Sequence, residues 1–117
     1  MPYIAINTSL KLTAAQKEKV KTEFGRLIAI IPTKAETGLL IDFSDGHTMY
    51  RAGIEAACAF IDVRLYGKAE FEYKKQFTEE TFKMLTKELG LETAKMYLSI
   101  SEFDTWGSAG IFKTKTP

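Results

Sequence analysis

Seven residues with polar or ionisable groups stand at the ends of predicted strands, where a binding site could form. They are Pro2, Lys34, Asp62, Arg64, Tyr66, Tyr97 and Ser99. Pro2 is the least expected of them, because a proline donates no backbone hydrogen bond and is awkward at the start of a strand. Others have ordinary structural explanations: Lys34 also fits a solvated loop lysine, and Tyr97 fits a packed strand aromatic. Taken singly, these residues define no reaction.

The single histidine gives little support for nucleophilic or metal chemistry. His47 follows Asp45 and Gly46 in a predicted turn, and no surrounding motif supports a Ser-His-Asp or Cys-His site. Asp42, Asp45 and His47 are conceivable metal ligands, but Asp-Gly is more often simple turn chemistry. We therefore predict no metal site.

The composition narrows the class of protein. The chain has 117 residues, enough for one domain with a real core, and a formal net charge of +1, so charge gives no case for nucleic acid or an anionic membrane as a partner. Cys58 is the only cysteine, which excludes an internal disulfide. No apolar run has the length of a membrane span, and no signal-peptide pattern is present. We expect a soluble, cytoplasmic protein.

The first half of the chain predicts strand, helix, strand. An apolar run at 3–7 predicts the first strand, and Thr13, with a glutamine three residues later, gives the capping-box pattern that begins a helix. Pro32 ends that helix. The next strand is predicted over 38–43, and a turn leads to a short return strand over 48–51.

The second half repeats this order. A long strand is predicted over 56–66, a helix over 69–89 with Gly90 as its C-terminal stop, and a strand over 95–103. The tail that follows carries Trp106 and an Ile-Phe pair. A helix between two strands is the crossover that parallel pairing requires.

One domain, 1–117, therefore contains a pseudo-repeat of approximately 2–50 and 56–104. The predicted fold class is α/β, or α+β in two layers. Two βαβ units form a four-stranded mixed sheet, and both helices lie on one face of it.

The other face of this sheet is chemically mixed. On the third strand one parity is small or aliphatic: Ala57, Ala59, Ile61, Val63 and Leu65. The opposite parity holds Cys58, Phe60, Asp62, Arg64 and Tyr66. The aliphatic parity should pack on the helices. The mixed face fits two interpretations equally well, a solvated sheet face or a surface covered by other copies of the chain.

Several short segments, taken in order, carry a resemblance to a known family. They are Met1-Pro2, Pro32-Thr33-Lys34, Met49-Tyr50-Arg51-Ala52-Gly53, Cys58-Ala59, Tyr66-Gly67-Lys68, Met96-Tyr97-Leu98-Ser99, Trp106 and Phe112. Together they resemble the tautomerase superfamily over nearly the whole chain. The resemblance is closest to the branch of macrophage migration inhibitory factor and D-dopachrome tautomerase.

The resemblance implies a homotrimer whose sheets surround a central channel, with no cofactor. It places one active site at each subunit boundary, with Pro2 and Lys34 from one subunit and Tyr97 and Ser99 from its neighbour. The expected partner is a small α-keto or enol acid such as phenylpyruvate, and a protein receptor is a further possible partner.

The roles of these residues follow from the same resemblance. Pro2 becomes a free secondary amine, and so a base, only after Met1 is removed. Burial and the Lys34 cation should favour its neutral form. Lys34 would hold the substrate carboxylate and stabilise the enolate, and Tyr97 would position the substrate. The resemblance assigns the apolar walls to aromatic residues, namely Tyr3, Tyr66, Trp106 and Phe112.

Departures from the family pattern leave alternatives open. Ser99 stands for an asparagine, and Gly38 for a tyrosine at the pocket rim, which implies a more open mouth. The first alternative to a tautomerase is a cytokine-like trimer that binds a receptor and has no physiologically relevant catalysis. Such a protein could be secreted without a leader sequence. A hydratase or dehalogenase is the second, and Asp62 is its candidate for activating water. The role of Arg64, as a channel residue or a second carboxylate binder, stays undecided.

Overall fold

The computed structural model describes residues 1–115, and its secondary structure follows the predicted order with additions. The elements are β1 (Pro2–Thr8), α1 (Ala14–Leu27), β2 (Leu40–Ser44), β3 (Tyr50–Arg51), β4 (Ile54–Glu55), β5 (Ala59–Tyr66), α2 (Phe71–Leu89), β6 (Met96–Phe103), β7 (Thr105–Ser108) and β8 (Ile111–Thr114). Short 3₁₀ turns occupy Ile28–Ile30, Glu36–Gly38 and Thr93–Lys95.

Four strands form one mixed sheet in the order β2-β1-β5-β6. β1 runs parallel to β2, β5 runs parallel to β6, and β1 and β5 pair antiparallel at the centre. Each parallel pair is joined across a long helix, as a βαβ crossover requires. The predicted two-layer fold with a four-stranded mixed sheet is confirmed.

One end of each long helix is set by a residue visible in the sequence, whereas α1 ends at Leu27, before a 3₁₀ turn, and not at the predicted stop, Pro32. The Thr13 hydroxyl accepts from the Gln16 N–H at 3.1 Å, and the Gln16 side chain accepts from the Thr13 N–H at 2.9 Å. These two bonds complete the predicted capping box. At the C-terminus of α2, Gly90 adopts a left-handed conformation (φ 71°), and its N–H donates to the Thr86 carbonyl. Gly90 therefore ends the helix as predicted.

The core lies between the sheet and both helices. Phe24 of α1 and Phe77 of α2 are fully buried, with ring centroids 6.5 Å apart. On the sheet side they meet the aliphatic parity of the strands: Ile4, Ile6, Ala59, Ile61, Val63 and Leu65. The predicted choice of buried parity is therefore correct for β5. Ala57 is the exception, because it precedes the strand and is exposed.

Two small hairpins differ from the sequence prediction. The return strand expected over 48–51 is only Tyr50–Arg51, and it pairs with Ile54–Glu55 rather than with the main sheet. The tail forms a second hairpin, in which β7 pairs with β8. Both turn through Ala-Gly pairs with positive φ, 55° and 76° at Ala52-Gly53 and 52° and 77° at Ala109-Gly110. Two positive φ angles are the mark of the tight hairpin turn that matches strand twist.

The mixed face of the sheet is open in the single chain. Phe60 is 40% exposed and Tyr97 is 54% exposed, and Ser99 beside them is also exposed. None of the helices within residues 1–115 is long and apolar enough to cross a membrane.

Candidate active site

The N-terminal end of β1 lies beside the C-terminal ends of β5 and β6. Pro2 is paired with Leu65, and Tyr3 with Arg64, in the antiparallel register of the two central strands. Because β5 and β6 are parallel, Phe103 at the end of β6 also reaches this edge. The hairpin β7–β8 follows directly, so the tail of the chain covers the region where the chain begins.

A cavity of about 550 Å³ opens at this point. Its wall includes Met1, Pro2, Tyr3, Gly38, Leu40, Arg64, Phe103, Trp106, Ser108 and Phe112. Pro2 itself is buried, and Phe112 is 76% exposed at the rim. A mostly apolar concave site with a few polar groups is the usual form of a small-molecule site.

Among the titratable groups of the cavity wall, the N-terminal amine has the most clearly shifted pKa. Met1 is attached in this structure, so the Pro2 nitrogen is an amide and the amine belongs to Met1. Burial, together with the charge and hydrogen bond of Lys34, lowers the pKa of this amine from 8.0 to about 6, and Lys113 and Lys115 add smaller effects. A neutral amine near pH 7 is a competent base.

Lys34 reaches the amine from the loop after α1. Thr33 adopts a positive φ of 70°, which turns the chain so that the Lys34 side chain crosses to the end of β5. Its Nζ donates to the Tyr66 carbonyl at 2.7 Å. Burial lowers the pKa of Lys34, the hydrogen bond with the N-terminal amine partly opposes this, and the Lys115 charge lowers it further.

Aromatic rings form the wall above this lysine. Trp106 packs against Tyr66 and against Phe103, with ring centroids 6.2 Å apart in both pairs. Tyr66 is buried and Trp106 is half-buried. These rings offer a flat apolar surface next to the amine, which suits a ligand with an aromatic or extended apolar part.

Tyr3, on the side of the cavity away from Trp106, is surrounded by polar residues. Its hydroxyl donates to Asp42 Oδ2 at 3.0 Å, and burial followed by this hydrogen bond raises its pKa. The Arg64 guanidinium lies 5.5 Å from the Tyr3 ring centroid and donates to Asp62 at 3.1 Å. Arg64 therefore belongs to the cavity wall, and Asp62, the candidate for activating water, is already engaged by Arg64.

Tyr97 and Ser99 lie apart from this cavity in the single chain. They occupy the first half of β6, where they pair with Phe60 and Asp62, whereas the cavity is at the other end of the strand. Tyr97 instead contacts Arg51, whose guanidinium carbon lies 5.8 Å from its ring centroid. The chain thus places Pro2, Tyr3, Trp106 and Phe112 on the wall of this cavity, and Lys34 and Tyr66 on the wall of a second cavity, but neither wall includes the two β6 residues.

Sequence reasoning missed several residues of the site. They come from the end of β6 and the tail: Phe103 and Ser108 line this cavity, Lys115 lines a second one, and Lys113 lies over the Tyr66 ring. The Ser108 hydroxyl donates to the Met1 sulfur at 2.8 Å, which fastens the tail onto the N-terminus. The alternating pattern of the tail and its Ala-Gly pair were the available signals, and both were weak. Gly38 lies on the cavity wall, and a Cβ added there would lie 3.9 Å from Met1 Cα and Pro2 Cδ, which is ordinary contact distance.

Within residues 1–115, no group of three or more histidine, cysteine, aspartate or glutamate side chains could hold a metal ion. The wall of the Pro2 cavity carries the Met1 amine, the Arg64 guanidinium and the hydroxyls of Tyr3, Thr105 and Ser108. Such a set can bind an anion and exchange a proton.

Comparison with known proteins places this geometry in a family. The family model described as "Macrophage migration inhibitory factor (MIF)" matches residues 1–113. By sequence, none of the curated proteins matches the chain.

Solved structures match over nearly the whole fold. Leishmania major MIF2 has 21% sequence identity and a TM-score of 0.90, with 97% of each chain covered. The MIF-like protein of Entamoeba histolytica has 18% identity and a TM-score of 0.84, covering 96% of this chain and 98% of that one. The Pt0534 protein, solved after inactivation by 2-oxo-3-pentynoate, has 16% identity and a TM-score of 0.82 over 92% and 93%.

Proposed function

The chain belongs to the macrophage migration inhibitory factor family, and from that premise we propose that it is a keto–enol tautomerase of small α-keto acids. Phenylpyruvate is the proposed test substrate. The base is the secondary amine of Pro2, which becomes free when Met1 is removed. The observation that carries the proposal is the partly buried N-terminal amine, with the Lys34 cation close enough to lower its pKa, at the edge of an apolar cavity.

The surroundings of the amine support its role as a base. In the intact chain, burial and the Lys34 cation lower the pKa of the Met1 amine to about 6. The Pro2 nitrogen is one residue further along, at the start of β1, so we expect the same two causes to act on a free amine there. Most of the amine is then neutral near pH 7 and can accept a proton.

The proposed reaction is a pair of proton transfers. The Pro2 nitrogen takes a proton from the carbon next to the ketone, and the electron pair of that C–H bond becomes the new C=C bond while charge develops on the oxygen. The Lys34 ammonium stabilises this enolate oxygen and holds the neighbouring carboxylate. The protonated amine then returns its proton to the oxygen, which gives the enol and regenerates the base.

The walls of the cavity determine where the rest of the substrate lies. Trp106, Phe103 and Phe112 offer ring surfaces for an aromatic side chain. Tyr3 is held by Asp42, so its ring is a fixed wall rather than a mobile one. A phenyl group next to the ketone would be bound there by apolar contact.

We further propose that the site is completed in a homotrimer. Tyr97 and Ser99 lie on the open mixed face of the sheet, away from the Pro2 cavity of their own chain. In the proposed assembly this face meets a neighbouring chain, and Tyr97 hydrogen-bonds the substrate in that neighbour's cavity. This arrangement gives the exposed aromatics Phe60 and Tyr97 a partner.

Turnover of phenylpyruvate by matched variants tests the proposal. In Pro2→Gly the secondary amine becomes a primary one, and we expect kcat/KM to fall by about 10²-fold, the scale of a general base. A chain with an N-terminal tag, which keeps the Pro2 nitrogen acylated, should be inactive. Lys11→Gln, which changes an exposed loop residue, is the control and should keep wild-type activity.

The result separates the enzyme from the alternative. Wild-type activity in both Pro2→Gly and the tagged chain would overturn the proposed base. A wild-type chain with Met1 removed and no activity would instead favour a receptor-binding protein that keeps the fold without catalysis.

A further inference from the structure

Three lysines surround the end of β5, next to the N-terminal amine. Lys34 Nζ lies 2.7 Å from the Tyr66 carbonyl oxygen. Lys113 Nζ and Lys115 Nζ lie 5.8 Å and 4.8 Å from the centroid of the Tyr66 ring. We call Lys34, Lys113 and Lys115 the lysine cluster. It is built by two distant parts of the chain, the loop after α1 and the tail hairpin.

Two members of the lysine cluster, Lys34 and Lys115, line a second cavity, of about 420 Å³. Its wall also includes Tyr66 and Gly67. The Met1 amine belongs to the wall of the apolar cavity, and Lys34, whose charge lowers the pKa of that amine, connects the two sites. Gly67 leaves room at the entrance: a Cβ there would lie 3.2 Å from Lys115 Cε, and its φ of 87° disfavours any side chain.

The positive charge of this cluster is not neutralised within the described part of the chain. None of its three lysines forms an ion pair among residues 1–115. Asp104 is the one acidic residue among those lining the second cavity, and the exposed Lys68 adds a further cation there. At least two positive charges therefore remain uncompensated.

The charges of the lysine cluster act on the N-terminal amine. Besides burial and Lys34, the charges of Lys113 and Lys115 lower the pKa of the N-terminal amine. Lys115 also lowers the pKa of Lys34. Positive charges held this close repel one another, and an anion bound between them offsets this repulsion.

We infer that the site prefers a ligand with two carboxylates, so that the substrate of the proposed tautomerase is a dicarboxylic α-keto acid. One carboxylate lies at Lys34 beside the amine, and the other reaches Lys113 and Lys115 across the face of Tyr66. A monocarboxylate satisfies Lys34 and leaves the tail lysines without a counterion. The inference rests on the proposed function only for the identity of the ligand as a substrate.

The related pair crotonate and fumarate, one a monocarboxylate and the other a dicarboxylate, tests the inference without turnover. The two differ by one methyl group in place of a carboxylate. Trp106 is the only tryptophan and packs against Tyr66, so its fluorescence reports binding next to the lysine cluster. At low salt we expect fumarate to bind about 5-fold or more tightly than crotonate, the combined effect of two partly exposed cations. The preference should shrink as salt is added.

Charge-matched variants connect this preference to the tail lysines. In Lys113→Gln/Lys115→Gln the fumarate preference should fall below about 2-fold. Lys83→Gln/Lys87→Gln removes the same charge from the exposed face of α2 and should keep the wild-type preference. Equal binding of the two acids by wild type, or an undiminished preference in the tail variant, would overturn the inference.

The outcomes of the two proposals can be told apart. A fumarate preference that depends on the tail lysines, in a protein without tautomerase activity, would keep the dianion site and remove the proposed function. Tautomerase activity without such a preference would keep the function and remove the dianion site.

Discussion

Lys34 acts on the N-terminal amine through both its charge and a hydrogen bond, and these act in the same direction. Both favour the neutral amine, and burial is the largest cause. The same lysine is itself less basic than usual because it is partly buried. A base and a cation held side by side in this way divide the work of the proposed reaction, since one removes the proton and the other stabilises the resulting negative charge.

The pH profile of kcat/KM should report this coupling. The neutral amine is the active form, so kcat/KM should rise with pH and level off below the ordinary α-amine pKa of 8.0. In Lys34→Gln one cause of the lowered pKa is removed, so the rising limb should move to higher pH and the plateau should fall. Phenylpyruvate kinetics from about pH 5 to pH 9 measure both effects.

Lys11→Gln provides the control for this profile, because it removes a lysine charge from an exposed loop. Its rising limb should coincide with that of wild type. An unchanged limb in Lys34→Gln would show that Lys34 does not set the basicity of the amine.

Individual site residues were predictable to different degrees. Pro2, Lys34 and Trp106 follow from short segments that resemble a family, and all three meet at one end of the sheet. Lys113 and Lys115 were missed because nothing in the tail sequence indicates that its two lysines fold back onto Tyr66. Their placement depends on the β7–β8 hairpin, which is a tertiary outcome.

Glu102 of β6 ties the second helix to the edge of the sheet that carries the site. Its Oε2 accepts from the Ala69 N–H at 2.6 Å, just before α2, and its Oε1 accepts from Lys74 at 2.9 Å within the helix. Both side chains of the ion pair are largely buried. Burial alone would raise the pKa of Glu102, but these two bonds and the lysine charges outweigh it, and the pKa is lowered.

Glu102→Gln should therefore lower the free energy of unfolding at pH 7 by about 1–2 kcal/mol, because the neutral amide cannot pair with Lys74. The folded-state pKa of Glu102 lies below its ordinary value, so its stabilisation is present above pH 4.5 and is lost as the pH falls further. The difference between the two proteins in urea unfolding should accordingly narrow in acid.

The exposed ion pair of Glu92 with Lys95 gives a matched control for this measurement. The Glu92 side chain is 70% exposed. Glu92→Gln should change stability by less than about 0.5 kcal/mol. An equal loss in both variants, or a Glu102→Gln loss that does not vary with pH, would contradict the role given to Glu102.

Elements with a strong period or a clear cap were predicted well, and the small hairpins were not. The capping box at Thr13 and the stop at Gly90 lie where the sequence put them. The hairpins turn through Ala52-Gly53 and Ala109-Gly110, in which an alanine adopts positive φ. Asn-Gly is the usual signal for such a turn, so alanine in that position hides it.

The whole molecule leaves one face of its sheet uncovered. Phe60, Tyr97 and Phe103 are each at least 40% exposed on the single chain, and Tyr97 and Ser99 lie outside the wall of the Pro2 cavity. Alternation along the strands predicted which residues face away from the helices. It could not decide what covers them, because a solvated face and an interface between copies use the same pattern.

A complementation experiment tests whether neighbouring chains share each site. We expect three chains per particle by light scattering, and we expect Tyr97→Ala to lose activity although Tyr97 is remote from its own Pro2. Pro2→Gly and Tyr97→Ala chains, unfolded and refolded together, should recover part of the activity, because a mixed site can take Pro2 from one chain and Tyr97 from another.

Refolding each variant alone is the control, and it should recover no additional activity. A monomeric wild type, or a mixture no more active than its two components, would contradict the shared site.

Covalent labelling tests most directly whether the Pro2 amine is free and acts as the base. A neutral amine adds to an acetylenic α-keto acid such as 2-oxo-3-pentynoate, the compound that inactivated Pt0534. The nitrogen forms a bond to an alkyne carbon, and its proton moves to the neighbouring carbon. Peptide mass spectrometry then locates the adduct. We predict one adduct per chain, on Pro2 of chains that lack Met1, with loss of activity in step with labelling and protection by phenylpyruvate. An adduct on Lys34 or elsewhere, or full activity in a chain labelled at Pro2, would contradict the assignment of Pro2 as the base.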